Sequence, residues 1–152
     1  MTRSTIRQAH ARDAPEAASV YLAARHRSVP DIPPLVHSDD EVRAWFRDVV
    51  VPRQVVWVAV VDDSLVGLLA LEGAHVEHLY VAPGHTDQGV GSELLDHAKS
   101  LQPAGLHLVV FESNVGARGF YRRHGFVELE RTDGSGNEEG APDIACRWSP
   151  PS

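Results

Sequence analysis

Two rhythms of apolar and polar residues run along this chain, and the switches between them mark out its elements. From Val90 to Leu101 the apolar Val90, Leu94, Leu95, Ala98 and Leu101 recur at helical spacing. Glu93, Asp96, His97 and Lys99 fall largely off that face, which predicts an amphipathic helix. Ala14 to Arg27 predicts a second helix, with Pro15 in its first turn and Asp13 as cap. Ser38 caps a third through about Val49, with Val42, Trp45, Phe46 and Val49 on one side. A short fourth starts at Asn114, carries Ala117, Phe120 and Tyr121, and closes at Gly125.

The strand rhythm appears at Thr5 to Ala9, Val55 to Val61, Leu65 to Glu72 and Val76 to Val81. It returns at Leu106 to Phe111, Phe126 to Arg131 and Ile144 to Trp148. Asp62-Asp63 predicts a hairpin turn, and Val29 to His37, with Pro30, Pro33 and Pro34, an extended loop. Thr132 to Asp143 is a glycine-rich, acidic loop. Strands mixed with helices, with hairpins at both ends, imply a mixed sheet packed with helices.

At 152 residues the chain suits one domain, 1–152, with no internal repeat. No segment approaches the roughly 18 continuous apolar residues of a membrane span, so no membrane partner is expected. The N-terminal stretch lacks the apolar core of a secretory signal, so the expected location is cytoplasmic. Cys146 is the only cysteine, which excludes an intramolecular disulfide. A formal net charge of −7 opposes nucleic-acid binding, and Lys99 is the sole lysine, so any phosphate clamp is built from arginine or main-chain N–H.

The chemistry concentrates after the Val76 to Val81 strand. Gly89 and Gly91 allow a tight turn and a close backbone approach, and the free N–H groups of the helix that follows favour an anion. Strict alternation puts His75, Glu77, Leu79 and Val81 on one face of the strand and Val76, His78 and Tyr80 on the other. His75 and His78 then point apart, and no His-Glu-x-x-His pair occurs, so no metal is expected.

The strand, the Gly-Val-Gly turn and the later run of Asn114, Ala117, Phe120, Tyr121, Gly125 and Phe126 strongly resemble the GCN5-related N-acetyltransferases (GNAT). The likeness is most specific from Glu77 to Phe126. It implies an α/β (α+β) fold whose mixed, mostly antiparallel central sheet has about six to seven strands flanked by about four helices. It implies acetyl-CoA as acetyl donor and an amine of a small molecule or peptide as acceptor. The cofactor would lie along Leu79, Tyr80 and Val81 and around Thr86, Asp87, Gln88, Gly89, Val90, Gly91 and Ser92. Asn114, Ala117, Phe120 and Tyr121 would face it from the other side.

By the same resemblance Tyr121 protonates the departing thiolate, a role that suits a phenol of pKa about 10. The base sits on the face of Glu77 and His75, and both remain candidates. A non-catalytic acyl-CoA-binding regulatory domain of the same fold is the alternative, and a homodimer stays open. The chain departs from the family where Thr86 replaces the usual Arg or Gln and Asp87 the usual Gly. A carboxylate at Asp87 costs electrostatic energy beside a diphosphate unless it turns outward to cap the helix, and Arg118 and Arg122 on the facing short helix are the candidates to supply the missing charge. Glu138, Glu139 and Asp143 in the acidic loop are expected to attract a cationic acceptor amine.

Overall fold

The computed structural model describes residues 4–152, so residues 1–3 of the expected domain lie outside it. Seven strands form one sheet in the order β1-β2-β3-β4-β5-β7-β6. Strands β1 (Thr5–Gln8), β2 (Val55–Val61), β3 (Ser64–Glu72) and β4 (His75–Val81) follow one another antiparallel. β5 (Leu106–Phe111) lies parallel to β4, and β7 (Asp143–Trp148) separates it from the edge strand β6 (Val127–Thr132). A mixed, mostly antiparallel sheet of this size matches the expectation. The β2–β3 hairpin turns at Asp62 and Asp63 with φ of 49° and 64°, the pair of left-handed residues such a turn requires.

The helices are α1 (Ala14–Arg27), α2 (Asp39–Trp45), α4 (Val90–Leu101) and α5 (Val115–Arg123); α2 runs on through a π turn at Phe46–Val50 into the single turn α3 (Val51–Arg53). Ser38 caps α2 and Glu41 reaches back to the Ser38 N–H, a complete capping box. The expected end near Val49 falls short because the wide turn absorbs Pro52, which has no N–H to give. Val42, Phe46 and Val50 are the residues it buries. Asp13 does not cap α1 with its side chain as expected: its carboxylate accepts the His10 N–H at 2.7 Å and grips Arg7 at 2.8 and 3.0 Å. Arg7 holds that carboxyl down at about 2.

The parallel β4–β5 pair needs a crossover, and α4 provides it. Val90, Leu94, Leu95 and Ala98 are buried against the sheet, whereas Leu101, the last residue of the helix, is exposed. On the other face Ala17, Ala18, Tyr21 and Leu22 of α1 pack with the α2 arm against β2, β3 and β4. Among the described residues no helix is long and apolar enough to cross a membrane.

The register of β4 corrects the expected alternation. Ala70 of β3 pairs with His78 and Leu71 with Val76, so Glu77 is an extra residue, a β-bulge. Val76 thereby joins Leu79 and Val81 on the α4 face. His78 instead enters an aromatic box on the α1 face, with ring centroids at 5.5 Å from Tyr21 and 5.1 Å from Trp45.

Burial there, reinforced by Arg25, pulls His78 from 6.5 to about 4. Between those values the unfolded chain binds a proton that the folded chain does not, so stability should fall as pH drops from about 6.5 towards 4. The loss approaches roughly 3 kcal/mol. His78→Phe should flatten that limb, and thermal unfolding of both proteins at pH 7 and pH 4.5 checks it. Equal acid sensitivity would remove His78 as the cause.

Candidate active site

Strands β4 and β5 meet at a single register pair, His75 with His107, and then diverge. Beyond that pair, N–H groups of β4 that face β5 have no ladder partner and are free to meet a carbonyl. The opening continues as a cleft of about 1100 Å³, walled by β4, β5, the turn after β4 and α5.

The turn is held at its root by the Ala82 N–H, which donates to the Val66 carbonyl at 2.8 Å. Pro83–His85 form a 3-10 turn, Asp87 takes φ 64°, and Gly89, the N-cap of α4, takes φ 82°. The first helical bond runs from the Glu93 N–H to the Gly89 carbonyl at 3.0 Å, which leaves the N–H groups of Val90, Gly91 and Ser92 without main-chain partners. The space around Gly89 is open, since a Cβ there would meet nothing within 4 Å. These features make an anion cradle. The Asp87 side chain does not cap α4. Thr86, Asp87, Gly89, Val90, Gly91 and Ser92 line the cleft, but Gln88 does not, its side chain lying 3.2 Å from His85 Nδ1.

Gly91 has a different task from Gly89. A Cβ on it would touch the Phe120 ring at 3.4 Å and Val81 at 3.7 Å, so its hydrogen lets α5 close against the turn. Gly91→Ala fits that contact, whereas the branches of Gly91→Val collide with Phe120. We expect Gly91→Val to push Phe120, which lines the cleft, out of place and so to weaken acetyl-CoA binding by about 5- to 150-fold, as an overpacking cost of ~1–3 kcal/mol carried into the site would. Titration calorimetry decides it, and parental affinity would detach the turn from the ligand.

Across the cleft, Asn114 caps α5 through the Ala117 N–H at 3.2 Å. Gly125, at φ 89°, ends the helix, and the Phe126 N–H returns to the Tyr121 carbonyl at 3.0 Å. Asn114, Ala117, Phe120 and Tyr121 all line the cleft. Tyr121 packs edge-on to Phe126 at 5.4 Å, and burial pushes its hydroxyl pKa up. The side chain therefore enters any reaction as the neutral phenol.

Glu77, carried on the bulge, lines the cleft with its carboxylate half-buried. Leu79, Tyr80 and Val81 line it too, although the Tyr80 ring packs against Tyr21 at 4.9 Å. His75 is not on that wall. Its Nδ1 sits 2.7 Å from His107 Nδ1, its Nε2 lies 3.8 Å from Glu77, and burial pulls its pKa down. His75 thus contacts Glu77 but, unlike it, does not line the cleft. His75 and His78 do not point apart as expected, yet no group of three His, Cys, Asp or Glu among the described residues is arranged to hold a metal.

Other expected residues are engaged elsewhere. Arg118 donates to both Glu128 oxygens at 2.8 and 3.1 Å and to the Glu112 carbonyl at 2.9 Å, and Arg122 lies 3.7 Å from Glu128. Arg118 is held by that pair, and neither arginine lines the cleft, which places the expected charge elsewhere. In the acidic loop Glu138 meets His37 at 3.0 Å, and Glu139 lies 3.6 Å from the buried Arg25. Asp143 accepts from Asn137 at 3.1 Å and from Thr132. Of the three carboxylates only Asp143 lines the cleft. Glu138 and Glu139 tie the loop to α1 and to the segment before α2 and do not line the cleft.

Reading the sequence misses Ser28, Asp31 and Ile32 after α1, and Arg123 on α5, all of which line the cleft. The proline-rich segment after α1 carries no periodic signal, and nothing in it announces a wall.

Comparison with known proteins follows the same outline. A family described as Acetyltransferase (GNAT) domain matches residues 52–128. The peptidyl-lysine N-acetyltransferase YjaB of Salmonella typhimurium is 41% identical over 83 residues, 54% of this chain and 57% of that protein. The Escherichia coli protein of the same name is 37% identical over 97 residues, 61% and 65% of the two chains. These alignments span less than two thirds of either relative. The solution structure of apo-form YjaB from Escherichia coli superposes with a TM-score of 0.76 at 26% identity, covering 97% of this chain and 99% of that one.

Proposed function

Because this chain belongs to the GNAT family of acetyltransferases, we propose that it transfers an acetyl group from acetyl-CoA directly to a lysine side-chain amine of a peptide or protein. The observation that carries the reading is the diverging β4–β5 pair, which presents Glu77 and Tyr121 to one cleft whose far end is an anion cradle. Free N–H groups and the open space at Gly89 suit a diphosphate, and the gap between the strands suits an extended thiol arm.

In this reading a β4 N–H polarises the thioester carbonyl as charge develops on its oxygen. Glu77 takes a proton from the attacking amine, so that the nitrogen carries a lone pair into the new C–N bond. As the C–S bond breaks, Tyr121 donates its proton to the leaving sulfur and regains one from solvent. No covalent enzyme intermediate is required.

Two observations support lysine as acceptor. Both curated relatives carry peptidyl-lysine in their names. The acceptor end also holds Asp31, Glu77 and Asp143, an acidic set in a chain of net charge −7. A cytoplasmic setting, where acetyl-CoA and protein lysines coexist, belongs to the same reading.

The test offers acetyl-CoA with three acceptors: an N-terminally blocked lysine peptide, a lysine-free peptide with a free N-terminus, and a linear polyamine. CoA release is followed with a thiol reagent and the acetylated atom is located by mass spectrometry. The lysine peptide should be the best acceptor. Preference for another amine would overturn the acceptor assignment, and binding of acetyl-CoA with no release would indicate a non-catalytic acyl-CoA-binding domain.

A further inference from the structure

We propose that Arg25 is a positioning residue for the acceptor: buried between α1 and the loop that joins β6 to β7, it pins that loop through Glu139 and so places Asn137 and Asp143 in the cleft wall. The inference rests on acetyl transfer to an amine in the cleft, and it deepens that reading by naming what shapes the acceptor's end.

The loop needs an anchor. Between β6 and β7 the chain carries Gly134, Gly136 and Gly140 and has no strand or helix of its own, so ordering it costs more backbone freedom than usual. Asn137 donates to the Ala141 carbonyl at 2.7 Å and to Asp143 at 3.1 Å, which ties the loop only to itself and to β7. Glu138 reaches His37, but both side chains are half exposed or more, and such a pair contributes little.

Arg25 offers a firmer hold. Its side chain is 6% exposed and that of Glu139 15%, so their 3.6 Å pair is shielded from solvent and salt. A guanidinium cannot shed its charge. It donates to the Tyr21 hydroxyl and the Pro33 carbonyl, each at 3.2 Å, and lies 5.8 Å from the ring centroids of Tyr21 and Phe111, while Nε has no hydrogen-bond partner. All of those groups are neutral. Glu139 is the one carboxylate paired with Arg25 among the described residues, and the charge draws the loop down to it.

Position turns that anchor into a device for the acceptor. Phe111 lines the cleft, Pro33 follows the lining residues Asp31 and Ile32, and Asn137 and Asp143 line it on either side of Glu139. Arg25 itself does not line the cleft, so it acts through these neighbours.

Steady-state kinetics with acetyl-CoA and the blocked lysine peptide test this on the full chain, as the parent, Glu139→Gln, Arg25→Met and the double variant. Each single change should raise the peptide's KM about five-fold or more, with kcat within about two-fold of the parent and calorimetric affinity for acetyl-CoA unchanged. The double variant should be no worse than Arg25→Met, because two halves of one contact are not additive. A purely structural role would lower the melting temperature and leave KM alone. Parental KM in the single variants, a matching loss of acetyl-CoA affinity, or additive losses in the double variant overturns the proposal. Should Arg25→Met not fold, Glu139→Gln decides by itself. Hydrogen–deuterium exchange across residues 132–143 of Glu139→Gln, read without substrate, should run about five-fold or more faster than in the parent. Unchanged exchange overturns the tether even where the parent fails to acetylate the peptide, a failure that overturns only the functional reading.

Discussion

Replacing Tyr121 by Phe is expected to lower kcat by about 10²-fold, with the affinity for acetyl-CoA left unchanged. The ring lies between α5 and Phe126, and Phe keeps that packing while removing only the hydroxyl. Burial holds the phenol protonated, so the proton is present when the sulfur leaves. The same burial makes it a weaker acid than an exposed tyrosine, and the expected loss therefore sits at the low end of general acid catalysis. Steady-state rates at saturating substrates, on a variant with parental unfolding, decide the point. An unchanged kcat would reduce Tyr121 to a packing residue.

Glu77→Gln should cost as much or more, about 10²- to 10³-fold in kcat, because Gln keeps the shape and loses the proton acceptor. His75→Gln provides the contrast. Its ring lies off the cleft, against His107 and 3.8 Å from the Glu77 carboxylate, and should alter the pH profile while sparing most of the rate. A larger loss from His75→Gln than from Glu77→Gln would exchange their roles.

These two predictions rely on features of unequal visibility in the sequence. The α4 helix was legible because its buried residues, Val90, Leu94, Leu95 and Ala98, are spaced by the helix's own period. The caps at Ser38 and Asn114 were legible because each acts within three residues of its own position. The run from Asn114 to Phe126 brought its four candidate residues to the cleft for the same local reason.

The bulge at Glu77 was not legible. Counting by twos assumes an unbroken ladder, and the extra residue exists only in the pairing of β4 with β3. That one residue moves Val76 to the α4 face and leaves His78 in an aromatic box. The partners of Arg118 and of the acidic loop were hidden for a related reason. Glu128 lies on β6 and Arg25 on α1, and only the folded sheet brings them to the charges they satisfy. Charge that looked available along the chain was already paired in space.

The most direct test of direct acetyl transfer uses acetyl-CoA labelled in the acetyl group, mixed with the parent protein first alone and then with the blocked lysine peptide. The account predicts no label on the protein in the first stage. In the second, label should appear on the lysine nitrogen in step with free CoA. A labelled protein that later passes its acetyl group to the peptide, or a peptide that stays unlabelled while acetyl-CoA is bound, would contradict it.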